Sequence, residues 1–117
     1  MADASRDFRS FLPLTPAVFH ILLALADEDR HGYGIAKEVS ARTDGTVELG
    51  PGTLYGTLNR MVETELVEER PARPSDDRRR YYRITSLGRD VAKAEARRLS
   101  ALVELARSKA LLSRAGR

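Results

Sequence analysis

The sequence predicts a mainly α-helical domain that carries a small β-hairpin and continues into one long C-terminal helix. Over 51–66, apolar residues recur at three- and four-residue steps, which is typical of a helix with one buried face. Two β-compatible runs, 67–73 and 80–84, follow and are separated by strong turn residues at 74–77. From 86 to 112 no proline interrupts the helical pattern. This order predicts a winged helix-turn-helix followed by a long dimerisation helix.

The amino-acid composition limits the kinds of protein that this sequence can encode. The 117 residues suit a single domain, and 42% of them are hydrophobic and 32% charged. A net charge of +3 and a sequence pI of about 9.6 permit an anionic partner. Arginine supplies 17 of the 20 basic residues, which suits phosphate recognition, although a genome-wide bias in base composition gives the same excess. The absence of cysteine excludes disulfides, thiolate metal sites and cysteine nucleophiles.

Three segments are predicted along the chain. They are a flexible arm over 1–10, a winged-helix DNA-binding domain over 11–85, and a dimerisation helix with its tail over 86–117. The N-terminus lacks the apolar core of a signal peptide, and the longest apolar run, 21–26, is too short to span a bilayer. We therefore expect a soluble cytoplasmic protein.

The first two helices follow from capping and spacing. A helix is predicted over 16–27, because Thr15 can cap it and a proline stands at its first position. A second helix is predicted from Ile35 to about residue 43, where turn residues end it.

The connections around the second helix are predicted from charge and turn chemistry. Residues 27–30 form a charged break, and His31-Gly32-Tyr33-Gly34 forms a turn whose tyrosine fills the gap between helices. Residues 46–49 alternate in polarity and are predicted to form a short strand.

The last helix is longer than a domain of this size can cover. About 27 residues at 1.5 Å each would extend about 40 Å. Its apolar stripe includes Leu99, Leu102, Val103, Ala106 and Ala110. A second copy of the chain is the usual partner of such a stripe, so we expect a homodimer.

The polar face of the third helix holds the first candidates for DNA contact. They are Thr53, Tyr55, Asn59 and Arg60, and Gly56 and Thr57 are assigned to the same face. Arginine pairs well with guanine and asparagine with adenine, whereas hydroxyl groups can meet phosphates. The alternative is that these residues form an ordinary solvated helix face.

The hairpin and the second helix add basic candidates. Arginines flank the predicted hairpin turn at Arg73, Arg78, Arg79 and Arg80, where they could follow the DNA backbone or enter a narrow minor groove. A solvated hairpin with weak internal ion pairs is the alternative. Lys37 and Arg42 of the second helix could support the interface by touching phosphates.

Tyr81 and Tyr82 alternate across the second hairpin strand. Successive side chains of a strand point to opposite faces, so one of the two is predicted to pack inward. Using both as a platform for stacking bases is a weaker interpretation.

No constellation of catalytic residues is apparent. The sequence has no pairing of a nucleophile with a base, no phosphate-binding glycine loop, and only two histidines, His20 and His31, which do not stand at metal-ligand spacing. We therefore predict that the protein is not an enzyme and that it needs no metal or cofactor.

Four stretches together resemble the PadR family of bacterial transcriptional regulators. They are HGYGIAKEV at 31–39, LGPGTLYGTLNRM at 49–61, LVEE at 66–69 and RRYYRITSLGR at 79–89, in the order and at about the spacing of the family. The resemblance covers roughly 12–95 and implies a winged helix with an operator-binding role for Tyr55. The single helix after Thr85 is similar to the compact branch of the family.

Two positions depart from the family pattern. Gly56 stands where members often have proline, which favours a more flexible recognition helix near its DNA-facing side. Glu65 stands where a glycine commonly ends that helix, so a C-terminal stop signal is missing.

The resemblance also implies a small-molecule effector. Family members commonly bind aromatic or planar compounds at or near the dimer interface, in some cases by stacking on tryptophan, and this chain has none. The predicted dimer interface or effector channel comprises Phe8, Phe11, Phe19, Leu99, Leu102, Val103, Ala106 and Ala110. The alternative is that these residues form only the core of the dimer.

These observations predict a homodimeric repressor that binds a near-palindromic double-stranded operator. Its two recognition helices would enter successive major grooves, about 34–36 Å apart. Two alternatives are a winged-helix module that binds another protein and a small-molecule sensor without specific DNA binding. Activation instead of repression depends on where the operator lies, which the sequence does not encode.

Overall fold

Four helices and a three-stranded antiparallel sheet form the computed structural model, which describes residues 7–71 and 80–113. The helices are α1 (Pro16–Leu25), α2 (Gly32–Arg42), α3 (Pro51–Glu63) and α4 (Ser86–Ser108), and a short 3-10 helix spans Phe8–Phe11. The strands are β1 (Arg30–His31), β2 (Val67–Arg70) and β3 (Tyr81–Ile84). The predicted fold class is confirmed.

The core lies where the four helices and the sheet meet. Its members are apolar side chains that recur at helical spacing or point inward from the hairpin, and they include Ile21, Leu22, Leu25, Ile35, Val39, Leu54, Leu58, Met61, Leu66, Val67, Tyr82, Ile84 and Val91. Phe8 and Phe11 pack against this cluster from the N-terminal side. The first residues of the predicted flexible arm, 1–6, are outside the described residues, whereas Phe8 lies on the core.

Helix α2 begins earlier than predicted, because His31 caps it. The His31 Nδ1 atom accepts a hydrogen bond from the Gly34 amide at 3.3 Å, so the predicted turn over 31–34 is wrong. An imidazole nitrogen replaces the usual oxygen acceptor of an N-cap. Tyr33 does not fill a gap between helices: it is 61% exposed, and the Lys37 ammonium lies 5.5 Å from its ring centre.

The third strand of the sheet does not lie at residues 46–49, where alternating polarity in the sequence predicts it. Residues 46–49 form no strand, and the Val47 amide instead donates to the Thr43 hydroxyl at 3.1 Å. The predicted charged break ends instead in strand β1, where Arg30 pairs with Tyr82 and His31 with Tyr81. The sheet order is therefore β1-β3-β2, with β3 in the centre.

Both hairpin tyrosines are buried, contrary to the prediction that one faces inward. Tyr82 is 5% exposed in the main core, and Tyr81 is 9% exposed with the His31 ring 5.4 Å away in an edge-on arrangement. Strand β1 pairs along the edge of β3, and its His31 ring packs against Tyr81. The hairpin strands pair from Val67 opposite Ile84 to Arg70 opposite Tyr81, and the tip at 72–79 is outside the described residues.

Helix α3 ends in a hydrogen-bonded cap although it lacks the expected glycine. The Leu66 amide donates to the Met61 carbonyl at 2.9 Å, and the Glu65 amide donates to the Val62 carbonyl at 3.0 Å. This pair of bonds is the Schellman motif, and it requires a left-handed residue, here Glu65 with φ of 68°. The backbone geometry is the same as with glycine, and the side chain makes that conformation less favourable.

Helix α4 meets the end of the hairpin at Gly88. A Cβ atom at this position would overlap the Leu66 carbonyl oxygen and would come within 3.0 Å of Ile84 Cγ1. Helix α4 runs for 23 residues rather than about 27, because a left-handed residue, Ala110 with φ of 62°, follows its last turn. Its length is about 35 Å at 1.5 Å per residue.

A buried carboxylate fastens the N-terminal segment to α4. Glu95 is 2% exposed, and its two oxygens accept from Arg98 at 2.6 and 2.9 Å. One of them also accepts from the Leu14 amide at 3.2 Å. The Arg98 hydrogen bonds, helped by the Leu14 amide, outweigh burial and lower the pKa of Glu95 below its usual 4.5.

We expect Gly88→Ala to lower the free energy of unfolding by about 1–3 kcal/mol, the usual cost of overpacking against atoms that cannot move aside. The matched control is Gly56→Ala in α3, where an added Cβ meets nothing within 4 Å. That variant should gain up to about 1 kcal/mol from better helix propensity. Urea unfolding of both variants checks the pair, and equal stability of the two would contradict the packing argument.

We expect the Glu95 contacts to make the protein sensitive to acid. Because the folded pKa is lowered, this stabilisation is complete above the usual value of 4.5 and is lost as the pH falls through the folded pKa. Glu95→Gln should therefore flatten the acid limb of stability against pH. Glu104→Gln, which removes an exposed pair with Arg107 at 3.3 Å, is the control and should leave that limb unchanged.

Candidate nucleic-acid interface

Helix α3 is anchored by one face and open on the other. Leu54, Leu58 and Met61 are at most 3% exposed and hold the helix against the core. The four predicted contact residues of this helix, Thr53, Tyr55, Asn59 and Arg60, are all exposed. A polar and cationic strip of this kind can present hydroxyl, amide and guanidinium groups to a groove of DNA.

Thr57 does not belong to this strip, although the sequence analysis assigned it there. It is 7% exposed, because it lies three residues after Leu54 and so turns toward the edge of the buried face. Gly56 lies on the outer face between Asn59 and Arg60 and is half-buried, with nothing within 4 Å of where a Cβ atom would stand.

Tyr55 packs across the start of α2. Its ring lies over Gly32, so that a Cβ atom built there would be 2.7 Å from Tyr55 Cζ. Tyr55 as a whole remains 44% exposed. Beneath the site, the pKa of Tyr82 is raised mainly by burial and further by the nearby Glu69 and Tyr55, while the charge of Arg80 opposes the rise.

The two basic candidates of α2 are in different electrostatic settings. Lys37 is exposed and stacks on the ring of Tyr33. Arg42 is exposed as well, but its Nε atom lies 2.7 Å from a carboxylate oxygen of Glu38, which offsets its charge. Lys37 is therefore the better candidate for a phosphate.

Of the four predicted wing arginines, Arg80 lies within the described residues. Arg80 is exposed, and its guanidinium lies 3.6 Å from a carboxylate oxygen of Glu69, an exposed pair of small energetic value. Arg73, Arg78 and Arg79 are outside the described residues.

Sequence reasoning missed Tyr33 as an exposed aromatic residue. Its exposure could have been found from spacing, since Lys37 follows it by four residues and lies on the same face of a helix. Because residues 31–34 are predicted to form a turn, the sequence analysis does not place Tyr33 and Lys37 on one face of the same helix.

The predicted interface residues fall into two groups. Leu102 and Val103 are 48% and 40% exposed on α4, Leu99 and Ala106 are half-buried, and Ala110 is exposed. The three phenylalanines, Phe8, Phe11 and Phe19, are half-buried. Leu105, at 53% exposure, extends the apolar surface of α4 beyond the predicted set.

Two of the residues predicted for the dimer interface or effector channel border cavities within one chain. Phe8 borders a cavity of about 750 Å³ beside the start of α4, together with Val67, Leu87 and Asp90. Phe11 borders a separate cavity of about 240 Å³ that reaches Arg60. The exposed leucines of α4 line neither cavity.

Among residues 7–71 and 80–113, no three histidine, aspartate or glutamate side chains are grouped so that they could hold a metal ion. No helix in this part of the chain has both the length and the apolar character needed to cross a membrane.

The motifs lie on the winged-helix framework in the order that the resemblance implies. A family model described as the transcriptional regulator PadR-like family matches residues 21–94, more than half of the chain. The chain belongs to the PadR-like family. Its members are DNA-binding transcriptional regulators and not enzymes, which agrees with the predicted class.

Individual relatives agree with this assignment. The PadR-family chain is similar to the transcriptional regulator Rv3488 of Mycobacterium tuberculosis, with 40% identity over 88 residues that cover 75% of this chain and 77% of that protein. It is also similar to uncharacterized protein X of Lysinibacillus sphaericus, with 40% identity over 70 residues. That match covers 59% of this chain and 64% of that protein, slightly less than two thirds of its length.

The fold has close counterparts among solved structures. A PadR family transcription regulator from hypervirulent Clostridium difficile is similar to this chain with a TM-score of 0.70 and 25% sequence identity. The match covers 80% of this chain and 97% of the other.

Proposed function

We propose that this PadR-family regulator is a homodimeric repressor that binds a near-palindromic operator through α3 and the hairpin. The observation that carries the proposal is the exposed strip of Thr53, Tyr55, Asn59 and Arg60 on a helix whose other face is fixed in the core. A rigid helix with a polar outer face is what a major groove can accommodate.

Within this strip, each side chain has a chemical role. Arg60 is suited to the O6 and N7 atoms of guanine, and Asn59 to the N6 and N7 atoms of adenine. The hydroxyls of Thr53 and Tyr55 are suited to phosphate oxygens, with Lys37 of α2 adding a further phosphate contact. The wing arginines, Arg73, Arg78, Arg79 and Arg80, would add contacts along the DNA backbone or in a minor groove.

Dimerisation is supported by the apolar surface of α4. Leu102, Val103 and Leu105 are each at least 40% exposed on a helix that projects from the domain. Burying this surface against a second copy would remove it from water and place the two α3 helices on opposite sides of a two-fold axis. The half-buried members of the predicted interface, Phe8, Phe11, Phe19, Leu99 and Ala106, would border the same contact.

Repression is the proposed outcome of binding. A dimer that covers two successive major grooves blocks access of polymerase to a promoter that overlaps the operator. A small apolar or aromatic effector bound between the two α4 surfaces would change the separation of the recognition helices and so release the DNA.

Selection of genomic DNA fragments by the purified protein at physiological salt tests the function. We expect enrichment of one or a few intergenic palindromes. Binding without sequence preference that disappears with added salt would overturn the operator proposal. It would favour a winged-helix module for protein partners, a reading consistent with the exposed Glu63 and Glu65 close to Arg60 in sequence.

We expect Tyr55→Ala and Arg60→Ala each to weaken binding to the selected fragment about tenfold, because a good contact to a base or phosphate contributes about 1–3 kcal/mol. If Arg60 contacts a phosphate, its loss should also lower the log–log salt slope by about 1. Arg97→Ala, an exposed arginine of α4, is the control and should change neither quantity. Fluorescence anisotropy at several salt concentrations measures both, and loss of the dimer with unchanged DNA affinity would reverse the assignment.

We expect Leu102→Glu to shift the protein toward monomer, because a buried unpaired carboxylate is costly in an apolar interface. Ser100→Glu adds the same charge to an exposed position of α4 about 160° around the helix from Leu102, away from the stripe, and should leave the dimer intact. Sedimentation equilibrium compares the two variants. Equal self-association of both would place the interface elsewhere.

A further inference from the structure

The first turn of α2 and the recognition helix touch at one place where no side chain larger than hydrogen fits. A Cβ atom at Gly32 would overlap the Tyr55 hydroxyl and would lie 2.7 Å from Tyr55 Cζ and 2.8 Å from Cε1. Gly32 is itself buried, while Tyr55 is 44% exposed. The hydroxyl end of the ring therefore lies against the start of α2, while the side chain as a whole stays partly exposed.

Glycine is required at position 32 because a side chain would have no room there, and not because of its backbone conformation. The φ angle of Gly32 is not in the left-handed region, in contrast with Gly45 at 79°. The residue stands in the first turn of α2, where alanine is a better helix former. The local backbone would thus accept a side chain, and the obstacle is the ring of Tyr55.

The obstructing atoms are the far end of a partly exposed side chain. Such a ring can rotate outward without a change in the backbone of either helix. An alanine at position 32 should therefore leave the fold in place and move the Tyr55 hydroxyl. Gly88 differs in this respect, because a Cβ atom there would meet a backbone carbonyl.

We propose that Gly32 is a positioning residue for DNA binding, which holds the Tyr55 hydroxyl in register with the polar strip of α3 by leaving room for its ring against α2. This inference rests on the proposed function, since it assigns a role to the contact that Tyr55 makes with DNA. Gly32 itself touches no DNA group in this account. Its effect reaches the interface through the tyrosine ring alone.

The chain offers a matched control on the same helix turn. A Cβ atom at Gly34 would lie 3.5 Å from His31 Nδ1, an ordinary contact, and no Tyr55 atom is among its three nearest. Gly34→Ala therefore makes the same chemical change, with a similar gain in helix propensity, and leaves the ring of Tyr55 alone.

The experiment combines a positional readout with a double-mutant cycle. Protein labelled with 3-fluorotyrosine gives one fluorine resonance for each tyrosine, and Tyr55→Phe assigns the resonance of Tyr55. We expect Gly32→Ala to shift that resonance and Gly34→Ala to leave it in place. The affinity for the selected duplex should fall about tenfold in Gly32→Ala, the size of a lost hydrogen bond to a charged group, and less than about twofold in Gly34→Ala.

The cycle separates positioning from a general structural effect. In a Tyr55→Ala background, adding Gly32→Ala should cause no further loss of affinity, because the ring through which it acts is gone. An equal loss in both backgrounds would overturn the proposal, and so would a shifted resonance with unchanged affinity. If Gly32→Ala alone fails to fold, recovery of folding in the double variant supports the contact, and failure to recover overturns it.

Failure of the proposed function is distinguishable from failure of this inference. If the wild-type protein selects no specific DNA, the operator proposal and the role of Gly32 in DNA binding both fall. The fluorine resonance still decides whether Gly32 sets the position of Tyr55. An unmoved resonance in Gly32→Ala overturns the positioning itself, whatever the DNA result.

Discussion

The fold depends most on a short-range junction between the end of α3, the hairpin and the start of α4. The Thr85 amide donates to the Leu66 carbonyl at 3.1 Å, and the Thr85 hydroxyl lies 2.6 Å from the Glu65 carbonyl oxygen. That hydroxyl also accepts from the Gly88 amide at 2.9 Å, which caps α4. Thr85 thus connects the end of α3, the end of the hairpin and the start of α4 by hydrogen bonds. The missing side chain of Gly88 allows α4 to approach the Leu66 carbonyl closely.

This junction sets the relation between the candidate DNA-contact strip of α3 and the exposed apolar surface of α4. The candidate DNA-contact strip lies on α3, and the exposed apolar surface lies on α4. Because Glu65 and Leu66 leave α3 and bond at once to the residue that begins α4, the angle between these helices has little freedom. In the proposed dimer, the separation of the two recognition helices would follow from that angle together with the packing of the α4 surfaces.

Strong periodicity made most of this architecture predictable, and weak or non-local signals explain the errors. Helices α1, α3 and α4 and the hairpin were predicted from spacing and capping residues. Strand β1 has only two residues, Arg30 and His31, and forms because β3 offers a free edge, which no local pattern reveals. The same pairing places the His31 ring against the buried Tyr81, so alternation along β3 could not predict its burial.

The sequence predicts which residues belong to the candidate site, but it does not predict the contacts that these residues make within the domain. Helical spacing alone predicted that Tyr55 and Arg60 are exposed. The contact of Tyr55 with Gly32 depends on how α2 crosses α3, which is a property of the packed domain. The sequence also does not show why a glycine is present at a given position. A Cβ atom at Gly56 would meet nothing, one at Gly88 would meet a backbone carbonyl, and one at Gly32 would meet the side chain of Tyr55. The three glycines differ in the neighbour that a Cβ atom would meet, and that neighbour is known only from the packed structure.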